Sequence, residues 1–101
     1  MARLIYTEQA LSDLERLAEF LLEADPSAAL ETIGLIEEAV LVLPRHPHIG
    51  RSVECGLREL VISRGRSGHV ALYSYEQAEE YILVLAIRHQ REAGYVARDI
   101  E

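Results

Sequence analysis

The sequence predicts an α+β two-layer sandwich, with an N-terminal helix hairpin on one face of a four-stranded antiparallel sheet, in the order β-α-α-β-β-β. Three observations lead there. Two apolar stripes of helical period meet at Asp25-Pro26, a proline-rich break runs from Pro44 to Gly56, and three short β-type runs separated by turn signals follow it.

Residues 3–6 are short and apolar, which predicts a first strand. Thr7 suits a helix N-cap, its hydroxyl accepting an otherwise unpaired backbone N–H. Leu11, Leu14, Ala18 and Leu21 then recur at spacings of three and four, with Leu17 beside them and most acids outside the stripe. That predicts an amphipathic helix over about 8–24. Pro26 disfavours helical geometry at Asp25 but suits the first position of a new helix, with Asp25 as its cap. Ala29, Ile33, Ile36, Val40 and Leu43 carry that second helix to about residue 43.

Pro44 to Gly56 reads as a loop. Strand runs follow at 57–64, at 69–75 after Gly65-Arg66-Ser67-Gly68, and at 81–87 after the acidic turn 76–80. The last run, Tyr-Ile-Leu-Val-Leu-Ala-Ile, is apolar on both faces, as a central strand is. A short helix is expected from about Glu92. The helix hairpin returns the chain to its starting end, so the second strand should run opposite to the first and the tight turns should keep the rest antiparallel. One face of the sheet should stay exposed.

The 101 residues make one domain, 1–101, with a thin stability margin that a binding partner would widen. No apolar stretch is long enough to span a bilayer, and Glu8 follows too soon for a signal peptide. One cysteine permits no internal disulfide, and His46 and His48 have no third ligand near in sequence, so the expectation is a cytoplasmic chain without metal or other cofactor. All ten basic residues are arginine, and the net charge is −7. Residues 1–43 carry the whole of that −7, whereas 45–66 sum to +3. A chain this acidic gains nothing from counterion release at a nucleic acid backbone, so direct DNA binding is not expected and the default partner is a protein. The local arginines suit carboxylates or phosphates.

The segments Asp25-Pro26-Ser27-Ala28-Ala29, Pro44-Arg45-His46-Pro47-His48-Ile49-Gly50-Arg51, Arg58-Glu59-Leu60-Val61-Ile62, Gly68-His69-Val70-Ala71-Leu72-Tyr73 and Val84-Leu85-Ala86-Ile87-Arg88-His89-Gln90-Arg91-Glu92-Ala93-Gly94-Tyr95 occur in this order. Together they resemble the RelE/ParE superfamily of plasmid-stabilisation toxins, on its ParE side, over nearly the whole chain. The resemblance implies the toxin of a type II toxin–antitoxin pair, silenced by an antitoxin encoded by the adjacent gene. RelE-like members cut messenger RNA in the ribosomal decoding site; the characterised ParE-like members block DNA gyrase.

Metal-free RNA cleavage needs a base for the 2′-hydroxyl, cations for the developing charge and an acid for the leaving oxygen. RelE-type nucleases resemble one another in a basic second strand and in an arginine after the aromatic of the third. Here the second strand offers Arg58 and Arg64 but no lysine, and Val70 stands where that arginine is expected. His89, Arg91, Tyr95 and Arg58 would form an incomplete ribonuclease set. The reading is therefore a growth-inhibiting, non-enzymatic toxin that contacts gyrase through Arg88, His89, Arg91 and Tyr95 and receives antitoxin carboxylates at Arg45, Arg51, Arg58 and Arg64. The alternatives are a RelE-like ribosome-dependent endoribonuclease and a non-toxic binding module of the same fold. A structural reading of Arg88 and Arg91, as solvated residues holding the C-terminus, stands beside the target-contact one.

Overall fold

Thr7 starts the fold by joining two elements, strand β1 (Arg3–Tyr6) and helix α1 (Glu8–Ala24). Its hydroxyl oxygen accepts from the Ala10 N–H at 3.1 Å and donates to the Val84 carbonyl at 2.9 Å, so one side chain caps the helix and ties it to the last strand. Asp25 repeats the capping for α2 (Pro26–Val40), accepting from the Ser27 and Ala28 N–H groups with Pro26 at the helix start. The computed structural model describes residues 2–62 and 68–89. The helix expected from Glu92 lies outside them, as do Arg64, Arg91 and Tyr95.

Helix α2 ends at Val40, three residues before the stripe does, and Leu43 reaches the core from a turn. In α1 the buried side is rotated from the expected stripe. Ala10 and Asp13 are buried, Leu14 and Leu17 pack on the core, and Leu11 is exposed.

The sheet has five strands rather than four: β2 (Arg51–Ser52), β3 (Arg58–Ile62), β4 (His69–Glu76) and β5 (Tyr81–His89) join β1 in the order β1-β5-β4-β3-β2. The added strand lies in the stretch expected to be loop. With it the chain reverses once more, through a single 3-10 turn at Glu54–Gly56 in which Cys55 (φ 63°) and Gly56 (φ 72°) take left-handed backbone. That extra reversal corrects the expected direction: β3 runs the same way as β1, and β1 pairs parallel with β5, Leu4 opposite Ile82. The sheet is otherwise antiparallel. β5, between β1 and β4, is central as its two apolar faces imply.

The main core lies between hairpin and sheet, where Ile36, Val40 and Leu43 meet Ile62, Tyr73, Ile82, Val84 and Ile87. The opposite face is not bare. Leu72 and Ala86 are buried there with Val53, Leu57 and Leu85 against them, so β4 is buried on both sides over most of its length.

Candidate functional site

The pairing of β1 with β5 stops at Tyr6 opposite Val84, and among the described residues no strand lies beyond it on that side of β5. Asp13 fills the place. Its Oδ2 accepts from the Ile87 N–H at 2.9 Å, and its Oδ1 meets an Arg88 guanidinium nitrogen at 2.6 Å, Arg16 at 3.0 Å and the Gln9 amide at 2.8 Å. The Asp13 side chain is 0% exposed and that of Arg88 11%, so this is a buried pair, while Arg16 at 61% is a surface contributor. Arg88 is thus neither a solvated strand-end residue nor a side chain displayed outward. Beside it, His89 and His69 pack edge to face with ring centroids 5.3 Å apart, His69 buried and His89 half-buried. Val70 lies directly across from Arg88 and is 2% exposed.

The arginine-rich segment is organised around Tyr73. Its hydroxyl donates to the Pro47 carbonyl at 2.7 Å and accepts from the Gly50 N–H at 3.0 Å. Burial pushes this hydroxyl above its ordinary value near 10, opposed by the Gly50 N–H and the Arg58 charge. Arg58 donates to the His48 and Gly50 carbonyls at 3.2 and 2.7 Å. Arg51 forks onto the Glu59 carboxylate at 3.0 and 2.5 Å. Gly50 is required here, because a Cβ would lie 2.7 Å from both Cε1 and the hydroxyl of Tyr73. Arg45 is exposed at the rim of two open depressions beside this loop.

Of the expected residues, the structure brings Arg88 together with His89, and Arg51 together with Arg58. It separates the two groups. Arg58 pairs with Tyr73, which pairs in turn with Val84, whereas His89 pairs with His69 opposite Ile62, four residues further along β3, or about 13 Å at strand rise. Of the expected ribonuclease set, Arg58 and His89 thus lie apart, and Arg91 and Tyr95 lie outside the described residues. Sequence reasoning missed Asp13, His69 and Tyr73. Asp13 could have been found, since Ala10, Asp13, Leu14 and Leu17 share one helical face. Among the described residues, no group of three His, Cys, Asp or Glu side chains is placed to hold a metal ion, and no helix is long and apolar enough to cross a membrane.

The chain is similar to known proteins on several counts. "Toxin RelE3" of Caulobacter vibrioides is 34% identical over 83% of this chain and 89% of its own length. "Toxin RelE1" of the same organism is 40% identical over 64% of this chain and 70% of its own. The toxin fold of the chromosomal ParDE toxin–antitoxin system from P. aeruginosa superposes with a TM-score of 0.74 at 25% identity, covering 88% of this chain and 96% of that one. Residues 4–94 match the family described as the ParE toxin of type II toxin–antitoxin systems. With nearly the whole described chain inside that match and the fold agreeing, this protein belongs to the ParE toxin family of the RelE/ParE superfamily.

Proposed function

We propose that this toxin acts without catalysis in the cytoplasm, blocking DNA gyrase by direct binding, and that an antitoxin encoded by the adjacent gene neutralises it. The observation that carries this reading is how the cations near the sheet are used. Arg88 is bound to buried Asp13, Arg58 to two loop carbonyls, and Val70 sits buried where a phosphate-holding arginine is expected. Guanidinium groups already engaged with the fold are poor clamps for a developing phosphorane charge. The net charge of −7 also opposes approach to ribosomal RNA. We assign the target-facing surface to the end of β5, with half-buried His89 and, beyond the described residues, Arg91 and Tyr95, while Arg88 braces that end from within through Asp13. The antitoxin side is assigned to the loop arginines Arg45, Arg51 and Arg58, with Arg64 beyond the described residues. The ParDE complex from P. aeruginosa supports an antitoxin partner.

The second reading, a ribosome-dependent endoribonuclease, draws on the His69–His89 pair and on the relatives named RelE. One pair of assays separates the two. The expected result is inhibition of gyrase supercoiling by the purified chain, with no cuts in messenger RNA on programmed ribosomes. Codon-specific cuts that vanish in His89→Ala would replace the gyrase reading by the nuclease one. Inactivity in both assays with antitoxin binding intact would leave the non-toxic binding module.

A further inference from the structure

The chain has four histidines, and the fold sorts them into two pairs of different kind. His46 and His48 stand exposed on the loop after α2, with the His48 ring packed edge to face on Tyr75. His69 and His89 are direct partners in the β4–β5 ladder and so project from the same face of the sheet. That face is the core side. Ala71 and Ile87, two steps along the same ladder, belong to the main core, as does Ile62 opposite His69 on β3. His69 is 3% exposed at the end of this core, and His89 is half-buried beside it.

The spacing of the two rings is that of imidazoles sharing one metal ion. A Zn–N bond of about 2.0–2.1 Å puts the metal about 3.2 Å from each ring centroid, so two imidazoles at a tetrahedral angle stand about 5.2 Å apart. The His69 and His89 centroids are 5.3 Å apart, with the ring planes at 79°. The strands already hold both side chains in register, and bringing a nitrogen of each ring to a common point takes rotation about χ2, which is soft for histidine. The surroundings also favour a cation. The net charge of −7 draws cations to the chain, and the neighbouring Arg88 is balanced by Asp13. Apolar Ile62, Ala71 and Ile87 on the same face form the kind of hydrophobic shell that limits competition from solvent at a metal.

We propose that His69 and His89 form a binding site for one divalent transition-metal ion of the zinc class, with its remaining positions open to solvent on the His89 side. Imidazole nitrogen suits zinc, copper and nickel and leaves hard cations such as magnesium aside. Among the described residues no third histidine, cysteine, aspartate or glutamate joins the pair, so this is an open site and not a closed four-ligand structural one. Binding of the ion requires no particular target or protein partner.

The test titrates the purified, tag-free chain, stripped with a chelator, with zinc chloride in a calorimeter, and with magnesium chloride as the control ion. His89→Gln and His69→Gln are compared with the loop double variant His46→Gln/His48→Gln. One zinc ion per chain should bind and raise the melting temperature, while magnesium does neither. His89→Gln should weaken zinc binding at least about tenfold and abolish the thermal shift, with its metal-free melting temperature near that of wild type; the loop double variant should bind as wild type. His89 is half-buried, so its variant decides the matter even if His69→Gln fails to fold. Cobalt(II) bound to the wild-type chain should show the visible absorption of tetrahedral coordination, lost in His89→Gln. The absence of saturable one-to-one zinc binding would overturn the proposal, as would wild-type affinity in His89→Gln. Zinc binding lost only in the loop double variant would overturn it too, by moving the ion to His46 and His48.

Discussion

The far end of β5 and the Pro44–Gly50 loop face the same physical problem, backbone groups that no neighbouring strand reaches, and they answer it with different chemistry. At β5 the answer is charged. Asp13 accepts from the Ile87 N–H and balances the buried Arg88. At the loop the core of the answer is a neutral phenol, Tyr73, bonded to Pro47 and Gly50, with Arg58 reaching in from the half-buried rim. A buried charge pair gains little over an apolar contact while intact, yet it is costly to break on one side only. A neutral hydroxyl held in a close-packed socket depends instead on shape. The first region should thus be sensitive to charge and the second to volume.

Breaking the charged region should have the largest effect. Asp13→Ala removes the Ile87 acceptor and strands the Arg88 charge, which should cost about 3–5 kcal/mol in chemical denaturation. Arg88→Ala should also lower stability, because it leaves the Asp13 carboxylate without its buried cation. If Arg88→Ala instead abolished growth inhibition at wild-type stability, Arg88 would be a target contact and Asp13 no more than its neighbour.

Gly50→Ala comes next. Its Cβ would press on the Tyr73 ring and hydroxyl and lie 3.0 Å from the Glu59 carbonyl, and Tyr73 is fully buried and cannot swing away. Destabilisation toward the upper end of the about 1–3 kcal/mol seen for overpacking is expected. Tyr73→Phe should cost less, about 1–2 kcal/mol, by leaving the buried Gly50 N–H without its acceptor. The Gly50→Ala/Tyr73→Phe double variant should be more stable than additivity requires, because removing the hydroxyl relieves one of the two 2.7 Å contacts. Strict additivity would mean that the socket is not organised by shape.

The smallest effect is on pH. Burial raises the hydroxyls of Tyr73 and Tyr6 above the ordinary tyrosine value, Tyr6 with help from the Glu37 charge. The folded state therefore holds these protons more tightly than the unfolded chain does. Their contribution is full below about pH 10 and is lost as pH rises through the folded values. Denaturation midpoints should fall above about pH 10, less steeply in Tyr73→Phe. An identical slope in that variant would assign the alkaline loss to other groups.

The sequence by itself determined whatever is written in neighbouring residues. Thr7 and Asp25 cap the helices they were expected to cap, Ala29, Ile36, Val40 and Leu43 are buried as their spacing demands, and the both-face apolar run 81–87 is central. Helix capping and apolar periodicity act over a few residues, so a local reading captures them. Only the tertiary structure decided the direction of β3, since two residues of β2 and one turn at Cys55-Gly56 add a reversal that carries almost no periodic signal. It also decided the fate of the charges. Asp13 lies 74 residues from the Ile87 N–H it accepts, and Tyr73 lies 26 from the Pro47 carbonyl it binds. A carboxylate reads as solvent-facing until the group that satisfies it arrives from elsewhere in the chain. Desolvating a charge is favourable only when that partner is already in place.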